Sequence, residues 1–469
     1  MLFPTTGFAL FFLAVFTLAW SAQRSLEWHK ILLLAASWLF YGAWDFRFVL
    51  LLIASGIINW ALALGIDRYR ETPILRRSIF TAGVLSNLAV LVLFKYYNFF
   101  LEPLGHLLES AGWSRDLPVL EVVLPVGVSF FTFQGMSYLI DVNRRETRPA
   151  RLLDMVLLMS FFPHLVAGPI VRASHLIPQL EAGPKIDRGM AAMGFVLILT
   201  GLFKKTIVAS YLATDFVDPL FAAPASAGSF DLLLGAYGYA VQIYCDFSGY
   251  SDMAIGCAAL LGYRFPSNFN QPYRAGSLQD FWRRWHISLS SWLRDYLYIS
   301  LGGSRKGQLR TYGALALTMI LGGLWHGANL TFLVWGMLHG GILAAERFWQ
   351  RLRRQTWPRL PKLLTILITF HIVTLAWIFF RAQTVSEALS YLSGIAAVQP
   401  GNVTLAPLGF CLIALGFAFH AFPADITRRA AMVVKRQNAV VVGLATGLLI
   451  LGIDAMRPYG IEPFIYFQF

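Results

Sequence analysis

Apolar stretches of membrane-spanning length recur from one end of this chain to the other. Hydrophobic residues make up 57% of the 469 residues, and charged residues only 13%. A soluble domain could not hide so much apolar surface, because the fraction buried on folding is limited by size. A run of about 20 apolar residues crosses a bilayer as a helix, which satisfies its own backbone hydrogen bonds in lipid. The sequence therefore predicts an all-α, polytopic membrane protein.

The apolar runs also predict where the ordinary spans lie. They are Phe8–Trp20, Ile31–Trp44, Phe48–Ile66, Ser78–Phe94, Val122–Ile140, Met190–Ser210, Leu232–Leu261, Leu363–Phe380, Ala406–Phe422 and Val440–Ile453. No polar segment between them is long enough to fold on its own. We therefore expect a single membrane-embedded domain over residues 1–469, surrounded by membrane lipid, with its motifs concentrated in residues 122–346.

Basic loops predict which side of the membrane each end faces. Four arginines follow the third run between Arg68 and Arg77, and the loop Arg428–Arg436 precedes the last run. Cytoplasmic loops collect Lys and Arg, so both loops should be cytoplasmic and both termini should face outward. The same bias accounts for most of the net charge of +13. We therefore expect no nucleic-acid partner.

Two regions do not read as ordinary spans. Leu152–Val171 contains Pro163 and Gly168-Pro169, and proline breaks the helical hydrogen-bond ladder. Tyr312–Ala345 is long for one span, short for two, and basic on both flanks. We expect a kinked or re-entrant helix in the first region. In the second we expect two half-helices that meet at the glycines around His326.

Two histidines are the candidate catalytic residues. His326 lies in Gly322–Asn329, with Trp325 before it and Asn329 after it, and a histidine at bilayer depth usually has a functional reason. Trp325 and Asn329 are themselves candidate substrate-binding or pore-lining residues. A low-dielectric site would keep its imidazole neutral and able to accept a proton. His286 lies in Phe281–Ser288. His286 or Asn329 could orient the reactants or stabilise an oxyanion.

Candidate donor-binding residues surround His286. The arginines Arg283, Arg284 and Arg294 could bind phosphates, and Trp285 could stack on a base or on an acyl-thioester carrier. The alternative explanation for the arginines is the excess of positive charge on cytoplasmic loops. Phe281–Leu301, which carries these residues, could be an interfacial or a re-entrant helix.

A polar cluster interrupts the run Leu232–Leu261. It comprises Asp246, Ser248, Tyr250 and Asp252, which are candidate pore-lining residues. Carboxylates at that depth need partners, so structural pairing with Arg or backbone N–H groups competes with a direct acid–base role. Lys204 and Lys205 interrupt another apolar run and could either snorkel to the interface or face a cavity. No His/Asp cluster or cysteine spacing indicates a metal site.

Four stretches together resemble the membrane-bound O-acyltransferase family, in its bacterial alginate O-acetylation branch. They are Phe161–Ile170, Gln242–Met253, Phe281–Tyr298 with Leu301–Gly303, and Leu321–Gly340. His164, Asn143, Leu330 and Cys245 depart from the branch's usual residues. The departures weaken the assignment to alginate, but not to the acyltransferase class.

The resemblance implies a fold, a reaction and partners. The fold is a ring of roughly 10–12 transmembrane helices around a funnel, with re-entrant helices. The family's near-invariant histidine falls at His326, its second histidine at His286, and a third family position at His339. The implied enzyme takes an acetyl group from cytosolic acetyl-CoA and binds no cofactor. It passes the group across the bacterial inner membrane to an exopolysaccharide such as alginate, often through a periplasmic SGNH or serine-esterase-like partner.

Other functions remain open from the sequence. Within the family, the transfer could be of D-alanine to teichoic acid, or of acetyl to peptidoglycan or cellulose. Outside it, a polysaccharide exporter would also use broken helices and intramembrane polar residues. We find no inverted repeat and no nucleotide-binding loop in the sequence, and either would favour an exporter. A scaffold without catalysis is the third alternative, against which the two histidines argue.

Overall fold

The computed structural model describes residues 3–113, 123–352, 360–400, 406–458 and 464–465. Every regular element among these residues is helical, and none is a strand. The predicted all-α class is confirmed. Residues 114–122, which include the expected start of the fifth span, lie outside the described residues.

Six helical segments within the described ranges are long and apolar enough to cross a membrane. They are Thr6–Arg24, Arg47–Arg68, Pro73–Leu101, Arg188–Ala222, Lys362–Arg381 and Ala439–Met456. Pro407–Ala421 and Ile426–Lys435, bent by 85°, would make a seventh if they form one span. Four more helices are of similar length or longer but carry more polar residues: Leu26–Asp45, Ser229–Leu260, Gln308–His326 and Leu330–Leu352. The chain is a multi-pass membrane protein, while the ring around a funnel stays a prediction.

The chain divides into two compact units, and the first comprises Met1–Asp187 and Cys257–Pro266. Its helices are Thr6–Ser21, Leu26–Asp45, Arg47–Arg68, Pro73–Leu91, Tyr97–Ser110, Val128–Asn143, Leu152–Ser160, Phe162–Leu165 and Ala173–Ala182. The expected break at Pro163 is confirmed: one helix ends at Ser160, and Pro163 lies in the short helix that follows. Next to Pro163, His164 is buried and its Nε2 lies 2.9 Å from both Gln134 Nε2 and the Leu158 carbonyl oxygen.

The second unit comprises Arg188–Gly256 and Ser267–Phe469. Its helices are Arg188–Phe203, Ser210–Leu212, Asp218–Ala222, Ser229–Leu260, Leu278–Trp282, Ile287–Trp292, Gln308–His326, Leu330–Leu352, Lys362–Arg381, Val385–Ala396, Pro407–Ala421, Ile426–Lys435 and Ala439–Met456. The helix Ser229–Leu260 passes into the first unit at Cys257. Wider π-helical turns occur at Lys204–Ala209, Ala213–Val217 and Leu293–Tyr298. The expectation of one domain stays a prediction.

Glycines allow two helices of the second unit to pack closely as a hairpin. We call Gln308–Leu352 the histidine hairpin; its helices are Gln308–His326 and Leu330–Leu352. A Cβ on Gly336 would lie 2.5 Å from the Met319 carbonyl oxygen, so only glycine fits there. The predicted bend next to His326 is confirmed. The two helices, of 19 and 23 residues, are longer than the half-helices expected, because the helical backbone continues into the polar residues at both ends of the apolar run.

Candidate active site

His326 is the last residue of the first helix of the histidine hairpin. The following residue, Gly327, is extended (φ −159°, ψ 149°), so the helix ends abruptly at the histidine. The imidazole is only 3% exposed and is surrounded by aromatic rings. The ring centroids of Trp325, Trp335 and Phe380 lie 5.1, 5.2 and 5.1 Å from its own. The imidazole is thus enclosed in apolar surroundings.

His286 is the N-cap of the short helix Ile287–Trp292 and is fully buried. Its backbone is left-handed (φ 41°, ψ 57°), which is uncommon for a residue other than glycine and is often found at functional sites. Its Nδ1 lies 3.1 Å from Asn268 Oδ1. His286 lies outside the candidate spans, and burial lowers its pKa from 6.5 to about 3. The imidazole is therefore neutral at pH 7.

Trp325 connects the two candidate catalytic histidines. Its indole centroid lies 6.1 Å from the His286 ring and 5.1 Å from the His326 ring. On the other side of His326, the Trp335 ring is 4.5 Å from the ring of His339. The structure thus places both predicted histidines, together with His339, in one aromatic cluster of the second unit.

A cavity of about 360 Å³ lies beside this cluster. Its buried wall includes Leu293, Thr318 and Met319, whereas Arg283, Arg294 and Arg347 line it with exposed side chains. Trp282 also lines the cavity, and its Nε1 donates to His339 Nδ1 at 3.2 Å. An apolar interior with cationic edges can bind a ligand that has an apolar arm and an anionic end.

The predicted donor-binding residues have different positions. Arg283 and Arg294 line the cavity, and Arg294 also pairs with Asp295 at 2.6 Å. Arg284 does not line it and instead pairs with Asp280 at 2.9 Å. Trp285 is buried, with its ring 5.0 Å from that of Trp377, so it packs in the aromatic core. Trp282, three residues earlier, is the tryptophan that faces the cavity.

Asn329 directly precedes the second helix of the hairpin, and its side chain caps that helix. Its Oδ1 accepts from the Thr331 backbone N–H at 3.0 Å, and its Nδ2 donates to the Gln383 carbonyl oxygen at 2.8 Å. The amide oxygen and the amide nitrogen both have partners, one within the hairpin and one at Gln383. A role of Asn329 in stabilising an oxyanion stays a prediction.

Adjacent lysines pair with the two carboxylates of the polar cluster. Lys205 forms a buried ion pair with Asp246, whose Oδ2 also accepts from the Ile465 backbone N–H at 3.0 Å. Lys204 pairs with Asp252 at 2.7 Å, where both side chains are partly exposed. Structural pairing of the carboxylates is confirmed, with lysine in place of the expected arginine. Whether the lysines reach the membrane interface or face a cavity stays a prediction.

The other two members of the polar cluster are buried in the same helix. Ser248 and Tyr250 are each about 1% exposed, and the Tyr250 ring packs 4.9 Å from Phe464. Their predicted pore-lining role stays a prediction. Among the described residues, no group of three His, Cys, Asp or Glu side chains is placed to hold a metal ion.

Sequence reasoning missed the polar partners of the site. Asn268 contacts His286 from 18 positions away and is buried with Ser251, to whose Oγ its Nδ2 donates at 3.1 Å. Glu346, at the cavity edge, accepts from the backbone N–H of Leu278 at 2.6 Å. These contacts join residues distant in the chain. No local spacing indicates them.

The profile of the membrane-bound O-acyltransferase (MBOAT) family matches residues 78–385, which include both histidines, the hairpin and the cavity. The chain belongs to this family. It is therefore an O-acyltransferase, and the family predicted from the motifs is confirmed.

Several curated relatives are similar to most of the chain. The "Probable alginate O-acetylase AlgI" of Pseudomonas aeruginosa is 42% identical over 83% of this chain and 73% of its own length. The "Peptidoglycan O-acetyltransferase" of Helicobacter pylori is 37% identical over 83% of this chain and 77% of its own. The "Teichoic acid D-alanyltransferase" of Bacillus subtilis is 28% identical over 65% and 78%.

Proposed function

We propose that this O-acyltransferase takes an acetyl group from cytosolic acetyl-CoA and passes it across the bacterial inner membrane for O-acetylation of alginate or a related exopolysaccharide. The observation that carries the proposal is the cavity with cationic edges beside the histidine cluster. The names of its similar relatives support the acetyl group: the Pseudomonas aeruginosa protein is named for alginate and the Helicobacter pylori protein for peptidoglycan.

The shape and charge of the cavity fit the donor. Its volume of about 360 Å³ is at the lower end of the roughly 300–1,000 Å³ of small-molecule sites. It can therefore hold the pantetheine arm, while the nucleotide phosphates stay at the edge near Arg283, Arg294 and Arg347. Arginine suits phosphate because its planar guanidinium donates in pairs. The acetyl thioester at the end of the arm would then point toward Trp282 and the histidines.

The chemistry is acyl transfer from sulfur to oxygen. The oxygen of the acceptor hydroxyl attacks the thioester carbonyl while His326 takes the hydroxyl proton as general base. The carbon–sulfur bond then breaks, and CoA leaves as the thiol after taking a proton from the imidazolium. Carriage of the acetyl group on the His326 ring itself is the alternative route to the same products. A periplasmic serine-esterase-like partner would complete transfer to the polysaccharide.

The proposed direction requires both termini to face the periplasm. The basic segment between Arg68 and Arg77 and the helix Ile426–Lys435 would then lie in the cytoplasm, where positive charge accumulates. Reporter fusions at each end test this orientation. We expect alkaline phosphatase to be active at both termini and inactive when inserted after Arg70. The reverse pattern would contradict delivery to the periplasm.

The donor is tested with the purified protein in nanodiscs. The protein is given acetyl-CoA labelled in the acetyl group, with and without the periplasmic partner, and CoA release and labelled polysaccharide are measured. We expect CoA release that increases when the partner and alginate are present. Turnover with a D-alanyl carrier protein but not with acetyl-CoA would instead assign the D-alanyl transfer named for the Bacillus subtilis relative.

A further inference from the structure

The side-chain amide of Asn268 has only one possible orientation. Its Oδ1 lies 3.1 Å from the Ser288 backbone nitrogen and 2.9 Å from Ser288 Oγ. A backbone N–H can only donate, so the atom that faces it must be the amide oxygen. The Nδ2 then points to Ser251 Oγ, at 3.1 Å. This orientation follows from the chemistry of the neighbours, whichever way the amide is first assigned.

The orientation of Asn268 determines the tautomer of His286. The same Oδ1 lies 3.1 Å from His286 Nδ1, and an amide oxygen can only accept. Ser288 Oγ also lies 3.4 Å from Nδ1, but its shorter contact, of 2.9 Å, is to Asn268 Oδ1. We therefore assign the hydrogen to Nδ1. In the neutral ring the other nitrogen, Nε2, then has a lone pair. This Nε2 is buried, and among the described residues no group forms a hydrogen bond with it.

We propose that Asn268 is a positioning residue that holds His286 in its Nδ1-protonated form, so that Nε2 serves as a proton acceptor for a hydroxyl of the acyl acceptor. The inference rests on the proposed function, because it assigns the acceptor side of the same site. It replaces the expected oxyanion role of His286, since a neutral ring of this tautomer has no hydrogen at Nε2 to donate. The step belongs to the route in which His326 carries the acetyl group after CoA has left as the thiol. The hydroxyl proton would move to His286 Nε2 while the hydroxyl oxygen bonds to the acetyl carbon and the bond from that carbon to the His326 ring breaks. The released His326 ring then takes the proton back from the His286 imidazolium.

The rival explanation is that Asn268 only holds the turn before Ile287–Trp292. The two explanations differ in how activity depends on pH. A base works when it is neutral, so activity is full above the pKa of His286 and is lost as pH falls through it. Burial puts that pKa at about 3, so the native enzyme should show no acid limb from His286 in a workable range. A carboxylate in place of the amide would raise the pKa by stabilising the imidazolium.

The charges around His286 leave Asn268 as the group that can shift this pKa. The helix Ser229–Leu260 packs against His286 through Phe247, and the histidine hairpin packs against it through Trp325. The titratable side chains within about one turn of these two contacts are Tyr244, Cys245, Asp246 and Tyr250 on the helix and His326 on the hairpin. Asp246 is already paired with Lys205. Arg284 on the histidine's own segment is paired with Asp280.

The experiment compares four variants in nanodiscs with labelled acetyl-CoA, the partner and alginate, over a range of pH. They are N268D, N268L, H286Q and, as a control for added charge, N438D on the exposed cap of the last helix. We expect N268L to lower kcat by roughly 10- to 100-fold, the loss seen when a metal-bound histidine loses its hydrogen-bond partner, with the KM for acetyl-CoA unchanged. We expect N268D to keep its activity at alkaline pH and to gain an acid limb that N438D lacks.

Two results would overturn the inference, and they can be told apart. If N268D has the same pH profile as the native enzyme while H286Q is inactive, His286 is needed but Asn268 does not set its protonation. If H286Q turns over normally, the proposed use of His286 fails, and this inference fails with it. Because N268D retains an oxygen acceptor for Ser288, it tests the idea even if N268L does not fold.

Discussion

At the scale of single residues, the buried Lys205–Asp246 pair offers a matched comparison with the partly exposed Lys204–Asp252 pair next to it. Removing one partner of a buried pair leaves an uncompensated charge and costs about 3–5 kcal/mol. We expect Lys205→Met to lower the stability of the purified protein by about that much, and Lys204→Met to lower it clearly less. Thermal unfolding in detergent measures both, and equal losses would contradict the burial argument.

The cavity arginines provide a second comparison between residues. Arg347 lines the cavity, whereas Arg351, one turn later on the same helix, does not. If the donor's phosphates bind at this edge, Arg347→Gln should raise the KM for acetyl-CoA roughly two- to fivefold, as expected for an exposed charge contact. Arg351→Gln changes the net charge equally and should leave the KM unchanged. Equal effects would mean that only overall charge matters.

Some of these residue-level features could be predicted and others could not. The glycines on both sides of His326 indicate a functional site. The carboxylates Asp246 and Asp252 lie in an apolar run, which predicts that each has a partner of opposite charge or a hydrogen-bond donor. The sequence does not identify these partners. Lys205 contacts Asp246, and Asn268 contacts His286, only in the folded chain, because each pair is far apart in sequence. Trp285 and Trp282 likewise share a motif, and only packing decides which one is in the core and which one faces the cavity.

At the scale of elements, close packing of the histidine hairpin is tested by two adjacent glycines. A Cβ on Gly340 would lie 2.8 Å from the backbone Cα of Ala316, whereas a Cβ on Gly341 would meet nothing within 4 Å. We expect Gly340→Ala to destabilise the protein by about 1–3 kcal/mol through overpacking. Gly341→Ala should be neutral, or stabilising by up to about 1 kcal/mol, because alanine favours helix. Unfolding temperatures of the two variants check this, and equal values would refute the packing.

The helices themselves were predictable where apolar length decides them. The last three expected spans correspond to Lys362–Arg381, Pro407–Ala421 and Ala439–Met456. The sequence predicts a loop at Arg428–Arg436, but the structure shows a helix at Ile426–Lys435. Its Ala430, Ala431 and Val434 pack against the helix Arg188–Phe203, while Arg428 and Arg429 lie on another face. The average polarity of the segment therefore conceals a helical periodicity. Phe281–Leu301 likewise resolves into short helices and a π-helical turn instead of one helix.

At the scale of the whole molecule, composition and four motifs were enough to establish an all-α membrane enzyme and its family. Composition predicts the all-α class because lipid leaves a spanning chain few backbone structures that satisfy its hydrogen bonds. The motifs predict the family because the sequences around the two histidines are specific to it. The donor and the polymer are not decided by the fold, since similar relatives carry different names for their acceptors. They depend on the edge of the cavity and on partner proteins.

The central claim is that catalysis depends on His326, and one measurement tests it most directly. CoA release from labelled acetyl-CoA is compared in nanodiscs for the native protein, His326→Ala, and His371→Ala as a control at an exposed histidine on another helix. Loss of a general base should lower kcat by roughly 10²–10⁴-fold in His326→Ala, while His371→Ala keeps native turnover. Native turnover by His326→Ala at equal abundance and stability would place the chemistry elsewhere and contradict the account.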